Sequence, residues 1–461
     1  MSQDKLPAGL EPLEDLDLSS LPSRPRVATP SIRLSVRGRS VSLRGLRRPP
    51  TGILRWLLIL GPGLITASAG NDAGGIATYS AAGARFGYDL IWVMVLITIS
   101  LAVAQEMCAR LGAATGRGLL ELIRERYGIG WALLGMSTLL VANGGVIITE
   151  FLGIGAAAEL FGLPKWIVVP LAALLLWYLV IYGSYAWVEK IFLGMTLVFF
   201  AYPIAAILAK PDWGEVARGA LIPSLRFDQQ YLFLLVGLMG TTISPFMLFF
   251  QQSSIVERGV ARRHYGPERI DAHVGAVFSN LIAITMIIVT AATLHKAGQT
   301  NIETAADAAR ALEPVAGPAA TTLFAVGLLG ASLLAGAVLP LTTAYAVSEV
   351  FGMPKGVSLD FRRAPLFFRL FTWMIILGTG LSLIPHLPVI QILVAVQVLN
   401  GVLLPILLLF ILRLINDPHL MGELKNTRLQ NAAGWGTLLL ISAAVAIMLV
   451  SQILSATGLL K

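Results

Sequence analysis

Residues 61–88 read GPGLITASAGNDAGGIATYSAAGARFGY. The run is long and apolar enough to enter a bilayer, whose hydrocarbon core takes about 20 residues of helix. Yet it holds Gly70, Gly74, Gly75 and a formal charge, Asp72, near its middle. Glycine weakens a helix, and a carboxylate at the bilayer centre costs about 2.5–3.5 kcal/mol on insertion scales. An Asp kept at that depth beside a Gly-rich break predicts a functional site, weighed against an ordinary kink. A second stretch repeats the pattern. Residues 235–256 read LVGLMGTTISPFMLFFQQSSIV, with Gly240, Thr241, Thr242, Ser244 and Pro245 central. Broken spans in corresponding positions of two halves are the signature of transporters built from inverted repeats.

The rest of the chain agrees. Of 461 residues, 56% are hydrophobic and 13% charged, against about 25% charged in soluble domains. This excludes a soluble multidomain enzyme, a disordered chain and a nucleic-acid-binding module. The lone Cys108 excludes a disulfide scaffold and a thiolate metal cluster. Apolar runs near 56–85, 89–112, 131–161, 164–183, 187–209, 231–256, 271–295, 319–350, 367–384, 388–413 and 433–457 predict eleven membrane helices. The expected fold is an all-α integral membrane protein, with spans one to five and six to ten as two inverted five-helix repeats. Its first and sixth helices are unwound, and span eleven is an addition. The expected divisions are a disordered tail over 1–50, a first repeat over 51–210, a second over 211–415, and a linker with span eleven over 416–461.

Orientation follows from Lys and Arg. With the N-terminus inside, 26 of the 34 fall in cytoplasmic segments and 8 outside, so the positive-inside rule predicts a cytoplasmic N-terminus and an external C-terminus. The net charge of +8 is then topological rather than a polyanion site. The acidic run Glu11, Glu14, Asp15 and Asp17 argues against a transit peptide.

In this order and spacing, five segments carry a family resemblance: GPGLITASAGNDAGG, AQEMCARLGAATGRGLLELIRERYG (104–128), TEFLGIGAAAELFG (149–162), the broken sixth span and VAVQVLNGVLLP (394–405). Over 51–457 the chain resembles the natural-resistance-associated macrophage proteins, which move divalent transition metals. The family site uses a DPGN turn in helix one and a Met-Pro-His run in helix six. Here the first turn is Asp72-Ala73-Gly74-Gly75, with Gly75 in place of Asn. The second is Ser244-Pro245-Phe246, with Ser244 in place of Met and Phe246 in place of His. These departures resemble the related magnesium-transporter branch.

The resemblance implies a metal site of Asp72, the Ala69 and Thr241 carbonyls, Ser244, Gln397 and Asn400, with Gly75 leaving room. Asn400 follows Gln397 by three residues and shares its helix face. Thioether selects transition metals, whereas carboxylate, carbonyl and water suit Mg²⁺, Ca²⁺ or Mn²⁺. Mg²⁺ usually keeps several waters, so Mg²⁺ is the expected substrate and Mn²⁺ the second. Met247, one turn from Ser244, is expected to pack or face lipid. No resident cofactor, nucleic acid or enzymatic nucleophile is expected; the partners are the cation and the bilayer of the plasma membrane. A monomer is compatible with all of this.

Proton-coupled relatives use an acidic pair in helix three and histidines in helix six. Here Glu150 matches one acid, while Ile147, Phe246 and Gln251 occupy the other positions. His264, His273, His295, His386 and His419 fall in loops or near span ends. Uncoupled, voltage-driven transport is therefore expected. Glu150 and Arg369 are weighed as a structural pair or as solvent-facing charges, and Glu106 and Arg110 as an i,i+4 pair. The alternatives are a proton-coupled Mn²⁺/Fe²⁺ transporter, a sodium-coupled organic-solute symporter, whose substrate carboxylate Asp72 would repel, and a membrane sensor.

Overall fold

A computed structural model describes residues 33–36, 39–42, 69–182, 200–260, 262, 265–313, 317–357, 359 and 361–457. Within the N-terminal segment, where a disordered tail is expected, β1 (Arg33–Val36) pairs antiparallel with β2 (Arg39–Ser42), Arg33 opposite Ser42. The remainder is helical.

The principal helices are α1 (Ala73–Phe86), α2 (Ile91–Thr115), α3 (Ile129–Leu160), α4 (Lys165–Tyr182), α5 (Gln229–Thr242), α6 (Pro245–Glu257), α7 (Tyr265–Thr290), α8 (Ala320–Phe351), α9 (Pro365–Ser382), α10 (Val389–Ile415) and α11 (Arg428–Ala456). Among the described residues, nine spans are long and apolar enough to cross a membrane, the α5–α6 pair counting as one. The opening half of the first expected span and much of the fifth, with Glu189 and Lys190, lie outside the described residues. The helix over Ala201–Leu208 is the described end of the fifth.

Counterparts in the two halves pack on one another: α1 on α5, α2 on α7, α3 on α8, and α4 on α9. That is the arrangement expected of two repeats. Outer faces stay apolar, as on Ile99, Leu171 and Trp373, because lipid rather than water covers them. The segment after the fifth span, which shows no motif in sequence, is built by caps. Asp212 accepts the Gly214 and Glu215 amides to start a helix over Trp213–Leu221, and Asp228 accepts the Tyr231 amide to start α5. Side-chain acceptors at the N-cap satisfy amides that a helix start leaves open.

The second predicted break is present, and of the first the described part is the turn that opens α1. That turn is a 3-10 turn, Ala69–Asn71, followed by Asp72 as the N-cap of α1. The second lies at Ile243–Ser244, between the end of α5 and Pro245 at the first position of α6. Proline suits that place because its missing N–H would have no helical partner there.

The two halves of the broken sixth span have different neighbours. Gly240 on α5 meets the backbone of α10: a Cβ there would stand 2.0 Å from the Gln397 carbonyl oxygen and 2.3 Å from the Gly401 nitrogen. No other residue fits such an approach. On α6, the Gln252 amide donates to the Arg117 carbonyl beyond the end of α2 at 2.9 Å, and Ile255 packs with Ala109, Ala113 and Tyr265.

Near the Thr115 end of α2, Glu106 and Arg110 form the expected pair at 3.1 Å, both buried. Arg110 also donates to Asn426 and to the Leu424 carbonyl, and Tyr265 donates to Glu106. In the basic segment after α6, Arg258 is bidentate with Glu268 at 2.9 and 3.2 Å.

Candidate functional site

Asp72 is 1% exposed although it carries a carboxylate in the middle of the fold. Three contacts hold it. Its Oδ1 accepts the Gly75 amide at 2.6 Å, and Gln397 Nε2 on α10 donates to Oδ1 and Oδ2 at 3.2 and 3.4 Å. Asn400 Nδ2 then donates to Gln397 Oε1 at 2.9 Å. The i,i+3 spacing of Gln397 and Asn400 has become a relay that ends on the carboxylate. Asn400 Oδ1 is buried without a hydrogen-bond partner among the described residues, and Thr241 Oγ1 is buried beside Tyr79. Both are neutral oxygen donors of the kind a hard cation takes.

The other predicted residues are placed as follows. Ala69 opens the 3-10 turn two residues before Asn71. Ser244 is buried, and its hydroxyl donates to the Gly240 and Thr241 carbonyls at 2.8 and 3.1 Å. The Thr241 carbonyl is thus capped within its own chain, while the Ser244 oxygen keeps its lone pairs. Gly75 does not leave open room: a Cβ there would stand 2.8 Å from the Gly70 carbonyl oxygen, 2.9 Å from Thr241 Oγ1 and 3.2 Å from Asp72 Oδ1. The space a larger side chain vacates is filled by the partner break.

Met247 is fully buried rather than lipid-facing, and its Sδ lies 3.2 Å from where a Gly70 Cβ would stand. The sulfur therefore packs against the unwound turn of the first span. Glu150 is not solvent-facing and forms no ion pair with Arg369 among the described residues. It is fully buried on α3 and accepts the Ala73 amide at 3.3 Å, one residue from Asp72. Arg369 is exposed. Ile147, Phe246 and Gln251 are all buried. Gln391, near the start of α10, lines a cavity of about 620 Å³ at the Phe86 end of α1, together with Arg85, Gln229 and Glu303. Glu150, named from the sequence for its match to a family acid and not as a ligand, is brought against the turn that carries Asp72.

Among the described residues, no three His, Cys, Asp or Glu side chains converge. The polar atoms about the breaks are one carboxylate with amides, hydroxyls and backbone carbonyls, with a second carboxylate one residue away. The profile of the natural resistance-associated macrophage protein-like family matches residues 63–451, most of the chain and both breaks. The chain belongs to that family. Its members are transporters, so it is not an enzyme. A protein of Ralstonia nicotianae described as divalent metal cation transporter MntH is 31% identical over 92% of this chain and 97% of its own length. One of Deinococcus radiodurans with the same description is 34% identical over 69% and 75%. Among solved structures, an Eremococcus coleocola manganese transporter superposes with a TM-score of 0.70 at 21% identity, over 89% of this chain and 90% of that one. MhsT in complex with L-phenylalanine gives 0.52 at 17% identity, over 88% and 99%. These two likenesses show the fold alone.

Proposed function

We propose that this family member imports divalent metal cations by alternating access, with Mg²⁺ as the favoured ion and Mn²⁺ as the second. The observation that carries this reading is the donor set at the two breaks. Asp72, Asn400 Oδ1 and Thr241 Oγ1 are oxygen donors, and the position of the family thioether is Ser244. One carboxylate among neutral oxygens binds a hydrated cation without trapping it, which suits an ion that keeps several waters.

Transport is driven by voltage and is not coupled to protons. Ile147 and Phe246 cannot change charge, and Gln251 is an amide. A divalent ion gains about 2.3 kcal/mol per charge for each 100 mV of inside-negative potential, enough for accumulation. The chain is a multi-pass membrane protein, which we place in the plasma membrane with a cytoplasmic N-terminus.

A second reading, Mn²⁺ preference with proton coupling, draws on two observations. The Met247 sulfur lies against Gly70, and Glu150 stands one residue from Asp72. The Eremococcus coleocola protein of like fold is described as a manganese transporter, which bears on the ion and not on the proton. Isothermal titration of purified protein with Mg²⁺, Mn²⁺ and Ca²⁺ separates the two. Mn²⁺ binding more than about a hundredfold tighter than Mg²⁺ overturns the first reading.

A further inference from the structure

The residue before the site aspartate is polar, buried and only half satisfied. Asn71 closes the 3-10 turn and is 1% exposed. Its Nδ2 donates to Ser279 Oγ on α7 at 3.1 Å, across 208 residues of sequence. Its Oδ1 has no hydrogen-bond partner among the described residues. A buried amide oxygen without a donor is unfavourable, and such an atom in a native fold calls for an explanation. The bond to Ser279 fixes the amide plane and leaves the oxygen as its unused end.

Asn71 and Asp72 also reach toward different helices. Asp72 meets Gln397 on α10, and Asn71 meets Ser279 on α7. At Gly75, by contrast, a Cβ would already stand within 3.2 Å of three oxygens. An amide at that position has no space, and the sequence offers one at 71 instead.

We propose that Asn71 is a specificity-determining group of the cation site, its amide oxygen accepting a hydrogen bond from a cation-bound water on the α7 side. This rests on the assignment of the site to Asp72. Asp72 supplies the charge, and Asn71 adds a hard acceptor without adding charge. An ion that keeps its waters gains more from such an acceptor than one that sheds them, so Mg²⁺ depends on Asn71 more than Mn²⁺ does.

The test is uptake of Mg²⁺ and Mn²⁺ into proteoliposomes, with binding by titration calorimetry on the same preparations. Asn71→Ala is expected to raise the Mg²⁺ KM about tenfold and the Mn²⁺ KM less, with kcat little changed. Asn71→Gln, which keeps a neutral amide oxygen, brings the Mg²⁺ KM part of the way back, to within about threefold of the parent. Ser279→Ala removes the tie between helices but keeps the oxygen, and leaves both KM values within about threefold. Should Asn71→Ala not reconstitute, Asn71→Ser, whose oxygen is withdrawn by one bond, carries the same expectation.

Unchanged KM values in Asn71→Ala overturn the proposal. So does a Ser279→Ala protein that reproduces the Asn71→Ala defect, since Asn71 is then only a helix tie. Asp72→Ala is measured alongside. If it binds both ions like the parent, the site assignment itself fails; if it binds neither while Asn71→Ala is normal, only the present proposal fails.

Discussion

Gln397 Nε2 donates to both carboxylate oxygens of Asp72, at 3.2 and 3.4 Å, across 325 residues of sequence. The contact joins the unwound turn of the first repeat to the last helix of the second. It also means that the amide NH₂, not its oxygen, faces the carboxylate. Among the described residues Oδ2 accepts only this one bond and keeps a further acceptor site for a cation, whereas an ion at Oδ1 competes with the Gly75 and Gln397 donors.

Removal of the carboxylate is therefore expected to abolish transport. Asp72→Ala leaves no formal charge in the turn and also deletes the cap on the Gly75 amide, a loss of about 1 kcal/mol in helix stability. Uptake into proteoliposomes at the parental rate contradicts the assignment. A melting curve on the same protein shows that the fold persists.

Gln397→Leu is expected to raise the KM for Mg²⁺ and Mn²⁺ together by about tenfold, because it withdraws a partner common to both ions. It also strands Asn400 Nδ2, which now has Gln397 Oε1 as acceptor. A selective effect on one ion argues that Gln397 discriminates between ions rather than positioning Asp72.

Met247→Leu tests the sulfur. The swap nearly conserves volume and costs less than about 1.5 kcal/mol in a packed site. If the working donors are oxygens, Mg²⁺ uptake and its inhibition by Cd²⁺ both stay within about twofold of the parent. A marked loss of Cd²⁺ inhibition shows that the thioether reaches the ion, and favours the Mn²⁺ reading.

Transport is expected to leave the lumenal pH unchanged. The assay holds an imposed negative potential, external Mg²⁺ or Mn²⁺ and a pH-sensitive dye inside the vesicles. Metal uptake with a flat dye trace agrees with uncoupled carriage. A metal-dependent pH change that disappears in Glu150→Gln shows that a proton path runs through the carboxylate that holds the Ala73 amide.

Arg110→Met leaves Glu106 buried with Tyr265 but without its cation. Breaking one side of a buried ion pair destabilises by about 3–5 kcal/mol. A clear fall in melting temperature is expected, with a smaller fall in the double variant that also carries Glu106→Gln.

The fold was legible because membrane helices announce themselves by length, and the breaks because Gly, Pro and Asp at mid-span violate that pattern. Span limits read from hydropathy differ from the helices by a few residues, most at α7, which begins at Tyr265 rather than near 271. Its first turns are polar and lie beyond the apolar run. The site was legible only where one segment carries the signal, as at Asp72 or the Gln397–Asn400 spacing. Asn71 beside Ser279, and Met247 beside Gly70, are made by segments far apart in sequence. The crowding at Gly75 was unreadable for the same reason: it depends on Thr241, which belongs to the other break.

The sixth span is gripped at both ends by different neighbours. Above Ile243–Ser244 it is locked to α10, with only a glycine between the backbones; below, it is fastened to α2. A rod held in this way has one weak joint, and any relative rotation of the two grips must bend there. Ser244 ties that joint to the Gly240 and Thr241 carbonyls, so a hydroxyl braces it beside the backbone bonds from Ile243 to Met239 and from Met247 to Ser244. Exchanging that residue would loosen the joint and, since Ser244 is also a candidate ligand, would change the tempo of opening and closing together with the hold on the ion.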